Sequence, residues 1–150
     1  MKVKKEIASL TKMMTAYTCI CLCKKWELNP TEIMVEVPKR CEKIIGTTAS
    51  LKEGTTLSVW DLLHGVMLPS GNDAAFLLAM HFGFEIQKRG EELDHTSQFI
   101  HPKSQFFMTP GVKIFLRQMN ANAMRFGLLN TFYDSPHGLA NKYNKSTAED

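Results

Sequence analysis

The sequence predicts a mainly α chain with minor β-structure, on three observations. Apolar residues recur at three- and four-residue steps over 9–28, through Leu10, Met13, Met14, Tyr17, Ile20 and Cys21, the mark of an amphipathic helix. Two later stretches carry helix punctuation: Ser58 with Asp61 three residues on, and Pro110 with Gly127 at the far end. Strand character is confined to a short run, Ile33 to Val37, ahead of Pro38.

Each element follows from local chemistry. Asn29-Pro30 is expected to end the first helix. Residues 43–57, rich in Thr, Gly and Ser, read as loop with short extended pieces. A second helix is expected over 59–67, interrupted by Leu68-Pro69-Ser70-Gly71-Asn72. A third, over 73–84, is apolar nearly all round and should be deeply buried. Residues 85–109 are polar and mixed in sign, an expected surface insertion. The fourth helix runs from Pro110 to about Phe126. Residues 128–145 are rich in turn formers, and Ser146-Thr147-Ala148-Glu149-Asp150 is a helix-start signal with nothing behind it, as in a chain cut short.

At 150 residues and 44% hydrophobic, the chain is expected to form a single domain over 1–150 with a real core. No apolar run is long enough to span a membrane, and the N-terminus lacks the apolar core and cleavage site of a signal peptide. A net charge of +3, with no zinc-finger spacing, aromatic RNA-binding box or basic heptads, argues against a nucleic-acid partner. Cys19, Cys21, Cys23 and Cys41 contain no C-x-x-C pair. The first three point about 200° apart from one to the next on a helix, so no metal is expected, and free thiols suit a reducing compartment. His64 and His81 lie in apolar helical stretches and should be buried. His95 and His101 read as surface residues. Trp26, Trp60 and the phenylalanines read as core or interface, the methionines as core filler, and Asp73 as a helix N-terminal charge.

Two short motifs carry candidate chemistry. Ser9-Leu10-Thr11-Lys12 is an S-x-x-K tetrad whose spacing puts Ser9 and Lys12 on one helix face. Free N–H groups of the first turn can stabilise an oxyanion there, and a lysine held neutral can take the serine proton. Ser70-Gly71-Asn72 follows 61 residues later in a helix break. Its hydroxyl can relay a proton and its carboxamide can hold a lysine and a substrate amide. Taken singly, each is also an ordinary helix start or turn.

Together, Ala8-Ser9-Leu10-Thr11-Lys12-Met13-Met14-Thr15 and Leu62 to Ala75 resemble the active-site helix and second motif of serine D-alanyl-D-alanine carboxypeptidases. These are the low-molecular-mass penicillin-binding proteins of peptidase family S11. Met119-Asn120, Ala123, Gly127-Leu128, Asn130-Thr131, Phe132, Pro136-His137-Gly138-Leu139 and Ser146 to Asp150 extend the resemblance over nearly the whole chain. It implies the helical lobe of the β-lactamase and penicillin-binding transpeptidase-like α/β fold, with the sheet largely missing. It implies acyl transfer without metal or organic cofactor: Ser9 as nucleophile, Lys12 as base, Ser70 as proton relay, and Asn72 with Gly71 in substrate binding. The partners implied are a peptidoglycan-type D-Ala-D-Ala peptide or a β-lactam.

The match departs from the family pattern. No Lys-Thr-Gly or Lys-Ser-Gly is present, and only eight residues precede Ser9, so the early strands and the third motif are missing. Loss of the sheet should expose the apolar face of helix 9–28. Family members act in the cell envelope, whereas no leader is read here, so the compartment stays open. A second reading is a non-catalytic, family-derived binding protein. A third is a helical interaction module using the exposed face.

Overall fold

The computed structural model describes residues 3–91, 109–139 and 143–150. Among them are four α-helices: α1 (Thr11–Lys25), α2 (Val59–Met67), α3 (Asn72–Lys88) and α4 (Pro110–Arg125). Four short strands accompany them: β1 (Lys5–Glu6), β2 (Met34–Glu36), β3 (Thr56–Ser58) and β4 (Lys145–Ser146). The expected mainly α architecture with minor β holds. The strand at 33–37 is β2, and the supposed loop at 43–57 contributes its antiparallel partner, with Val35 opposite Leu57. β1 pairs antiparallel with β4, Lys5 opposite Ser146, and Phe132 bridges Lys145 on the other side. Ser146 therefore belongs to a strand, and the Asp150 carboxylate turns back to accept from Asn130 N–H (2.7 Å) and Thr131 Oγ1 (2.8 Å).

Helix ends follow the local signals. Ser58 and Asp61 cap α2 reciprocally, and Thr109 accepts from Val112 N–H at the start of α4, with Pro110 in the first turn. Residues 85–88 continue α3 rather than opening an excursion; 92–108, with His95 and His101, lie outside the described residues. α3 and α4 close on the left-handed Gly90 and Gly127, each with the paired N–H bonds of a Schellman end. α1 closes the same way on Glu27 (φ 55°), ahead of the expected stop at Asn29-Pro30.

α3 is the centre of the fold, as its all-round apolarity predicts. It packs on α1, α2 and α4, most extensively on α4. Leu62, Val66, Leu77, Leu78, Phe82, Phe115, Leu116 and Met119 are fully buried in this core, each large side chain contributing about 1.5–3 kcal/mol. Where α3 crosses α4, a Cβ on Gly83 would lie 1.8 Å from the Gly111 carbonyl oxygen. Backbone meets backbone there.

α1 reverses the simplest reading of its periodicity. Of the apolar residues whose spacing marks it, Leu10, Met13, Tyr17 and Ile20 face outward at 40–63% exposure, Cys21 is half-buried and only Met14 is buried. An exposed apolar face is the expectation for this helix. The buried face carries Thr11, Lys12, Thr15 and Thr18 beside Met14, Ala16, Cys19, Leu22 and Cys23. Buried polar groups need partners, and these find them in distant segments. His64 is exposed and stacks edge-on against Trp60, because it lies on the solvent side of α2. His81 is half-buried. Trp60, Phe84 and Phe126, and the methionines Met13, Met34, Met67 and Met124, are also exposed rather than core. Cys19, Cys23 and Cys41 are buried free thiols and Cys21 is half-buried.

Candidate active site

The site begins where the chain enters α1. Ala8 takes a left-handed conformation (φ 45°), and Ser9 sits in the 3-10 turn Ala8–Leu10 that runs into the helix. Three residues on, Lys12 Nζ lies 3.2 Å from Ser9 Oγ and donates to the His137 carbonyl at 3.1 Å. Ser9 is exposed while Lys12 is 2% exposed. A solvent-facing hydroxyl thus meets a buried amine. Burial holds the Lys12 ammonium below the usual lysine range, opposed by the negative charge of Asp73.

The turn that delivers the His137 carbonyl is pinned to α1 from several directions. Thr15 Oγ1 donates to the Pro136 carbonyl (2.6 Å) and Gly138 N–H to Ser135 Oγ (2.9 Å). Asn144 accepts from Asp134 N–H and donates to Thr11 Oγ1. Asn120, buried in α4, accepts from Tyr133 N–H (2.8 Å) and donates to its carbonyl (2.9 Å), copying a strand partner. Gly138 (φ 75°) passes so close to α1 that a Cβ would lie 1.9 Å from the Ala8 carbonyl oxygen. The spacing of Ser9 and Lys12 pointed to their pairing. The clamp formed by Asn120, Asn122, residues 133–138 and Asn144 was missed, although Thr11, Thr15 and Thr18, poor helix formers on one face, were its signal.

His137 is 4% exposed and accepts from Leu139 N–H at Nδ1 (3.1 Å), as a neutral ring does. Burial, then the neighbouring Lys12, lowers its pKa to about 4. The unfolded chain therefore binds more protons between pH 6.5 and about 4, and stability must fall as pH drops through that window. The expected loss is up to about 3 kcal/mol. Urea unfolding across this range checks it: His137→Gln should flatten the slope.

The second motif lies between α2 and α3. Ser70 is left-handed (φ 58°), and Gly71 leaves no room for a side chain, since a Cβ would meet the Gly65 carbonyl at 2.7 Å and Ala49 N at 2.8 Å. Asn72 opens α3, its N–H donating to the Thr47 carbonyl and its Nδ2 to the Ile45 carbonyl, both at 2.8 Å. Asp73 accepts from Thr48 Oγ1 and from the N–H groups of Ala49, Leu51 and Ala74. Burial pushes its carboxyl up, but these bonds outweigh that and hold it below the usual range.

The two motifs are linked by contacts. Gly46 abuts both the Asn72 amide and Leu139, and Gly138, the residue before Leu139, abuts Ala8 and Thr11. Among the described residues no hydrogen bond joins the Ser70 hydroxyl to Ser9 or Lys12. No group of three His, Cys, Asp or Glu side chains among them is placed to hold a metal, and no helix among them is long and apolar enough to cross a membrane.

Comparison with known proteins gives this arrangement a class. The Streptomyces K15 DD-transpeptidase structure aligns with a TM-score of 0.73 at 29% identity, over 97% of this chain and 48% of that one. Penicillin binding protein 5 from Haemophilus influenzae gives 0.72 at 29%, over 98% and 36%. These neighbours are penicillin-binding DD-peptidases of the β-lactamase-like fold. The D-alanyl-D-alanine carboxypeptidase DacA of Haemophilus influenzae is 30% identical over 145 residues, covering 95% of this chain and 30% of the relative. The chain thus spans under half the length of the proteins it matches. The family model for D-alanyl-D-alanine carboxypeptidases matches residues 1–85, and the chain belongs to that family, peptidase S11.

Proposed function

We propose that this protein acts as a serine-type D-Ala-D-Ala carboxypeptidase on peptidoglycan stem peptides, through an acyl-enzyme on Ser9. The observation that carries the reading is the buried Lys12 amine, 3.2 Å from the exposed Ser9 hydroxyl. In its neutral form the amine takes the Ser9 proton, and the oxygen attacks the carbonyl of the penultimate D-alanine. The N–H groups at the start of α1 face the developing oxyanion. Ser70 passes a proton to the departing D-alanine amine, while Asn72 and Gly71 orient the peptide backbone. Water then releases the shortened peptide. β-Lactams acylate the same oxygen as substrate mimics.

Incubation with a fluorescent penicillin, followed by peptide mass mapping, tests this. The expected result is one adduct, on the peptide containing Ser9. An adduct elsewhere overturns the assignment. A folded protein that takes no label supports the alternative, a non-catalytic binding protein derived from the family.

A further inference from the structure

We propose that Asp73 is a positioning residue for this site: its carboxylate ties residues 48–51 to the first turn of α3, which fixes Ser70, Gly71 and Asn72. The inference rests on the functional reading above and deepens it.

A carboxylate that merely complements a helix dipole needs only the N–H groups of its own first turn. Asp73 is different. It is 2% exposed, and three of its four donors come from 22 to 25 residues upstream: Thr48 Oγ1 (2.7 Å), Ala49 N–H (2.8 Å) and Leu51 N–H (3.1 Å). The fourth is Ala74 N–H. The segment it gathers is the one that touches the second motif. The Thr47 carbonyl accepts from Asn72 N–H, and Thr47 Oγ1 donates to the Ser70 carbonyl. Ala49 N and Asp73 Oδ1 both crowd the space a Gly71 side chain would need. Carboxylate, loop and motif close into one hydrogen-bonded ring. That ring holds Ser70 left-handed, a conformation that costs a non-glycine residue about 1–2 kcal/mol and persists where surroundings over-determine it.

The charge acts separately. Asp73 raises the Lys12 pKa against the effect of burial. Among the described residues, His137, from the 134–138 turn, acts on Lys12, and Cys41, from the 3-10 turn Cys41–Lys43 against α3, acts on Asp73. His137 is neutral above pH 4, and burial pushes the Cys41 thiol up to about 12, so neither offsets Asp73 near neutrality.

Two variants of the 150-residue chain separate the loop from the charge. Thr48→Val removes one bond and keeps the carboxylate. Asp73→Asn removes the charge and turns an amide against a backbone N–H. The readouts are the second-order rate of fluorescent-penicillin labelling against pH, and the Lys12 titration by NMR on lysine labelled with carbon-13 at Cε, assigned with Lys12→Arg. Thr48→Val should slow labelling about 10-fold and leave the Lys12 titration in place. Asp73→Asn should slow it about 100-fold, the order expected for a small displacement of a reacting group. It should also move the acid limb of the profile and the Lys12 titration to lower pH, because a raising influence is gone. An Asp73→Asn protein that labels within about twofold of the parent overturns the proposal. If Asp73→Asn fails to fold, Thr48→Val decides: an unchanged labelling rate overturns it. If the parent takes no label, the functional reading fails, and amide hydrogen exchange then judges the ring: unchanged protection of the Ala49, Leu51 and Asn72 N–H groups in Asp73→Asn overturns it.

Discussion

Gly83→Ala should destabilise the protein by about 3 kcal/mol, at the upper end of what overpacking usually costs. The added methyl would sit 1.8 Å from the Gly111 carbonyl oxygen and 2.4 Å from its carbon. Both are backbone atoms of α4, so no rotamer change relieves the clash. Nor can α4 retreat freely, because the reciprocal approach is as tight: a Cβ on Gly111 would meet the Met80 carbonyl at 2.7 Å. The helices must separate, loosening Phe82, Phe115 and Met119 between them. For a chain of this length the loss corresponds to a Tm lower by roughly 10 °C. Gly54→Ala is the control, since nothing lies within 4 Å of its added carbon, and it should cost only the strain of its left-handed φ. Thermal unfolding of both proteins by circular dichroism makes the comparison. Equal losses in the two would mean that the α3–α4 crossing does not depend on the missing side chain.

Lys12→Gln should lower the rate of acylation by about 10³-fold, within the range for losing a general base, with the fold retained. Glutamine can still donate to the His137 carbonyl, so the turn at 134–138 keeps a partner for its buried oxygen. It cannot take a proton from Ser9. The pH profile gives the second signature: the parent should accelerate as pH rises through the Lys12 titration, and the variant should lose that limb. Stopped-flow labelling across pH measures both. A Lys12→Gln protein within about fivefold of the parent, or one keeping the same limb, would remove Lys12 from the base role and leave it a structural ammonium.

The buried lysine shows why such a site is only partly visible in a linear reading. A three-residue step on a helix brings Ser9 and Lys12 together whatever surrounds them, so local geometry alone predicts the pairing. The amine's buried partner, the His137 carbonyl, lies in the 134–138 turn, more than a hundred positions away. Turn chemistry likewise placed Ser70, Gly71 and Asn72 at a helix break. Their locking by residues 45–51 depends on Asp73 reaching upstream, where a helix-start carboxylate read simply as a capping charge.

The sequence by itself determined the four helices, the starts of α2 and α4, the stop of α4 at Gly127, the short strand at β2, and the two motifs, because each depends on contacts within a few residues. Tertiary structure alone decided which face of α1 is buried. Periodicity shows that an apolar stripe exists, but Leu10, Met13, Tyr17 and Ile20 point outward because Thr11, Lys12, Thr15 and Thr18 find hydrogen-bond partners inside. A buried polar group is tolerated only where a distant segment supplies its partner, and no local pattern records where that segment will come to rest.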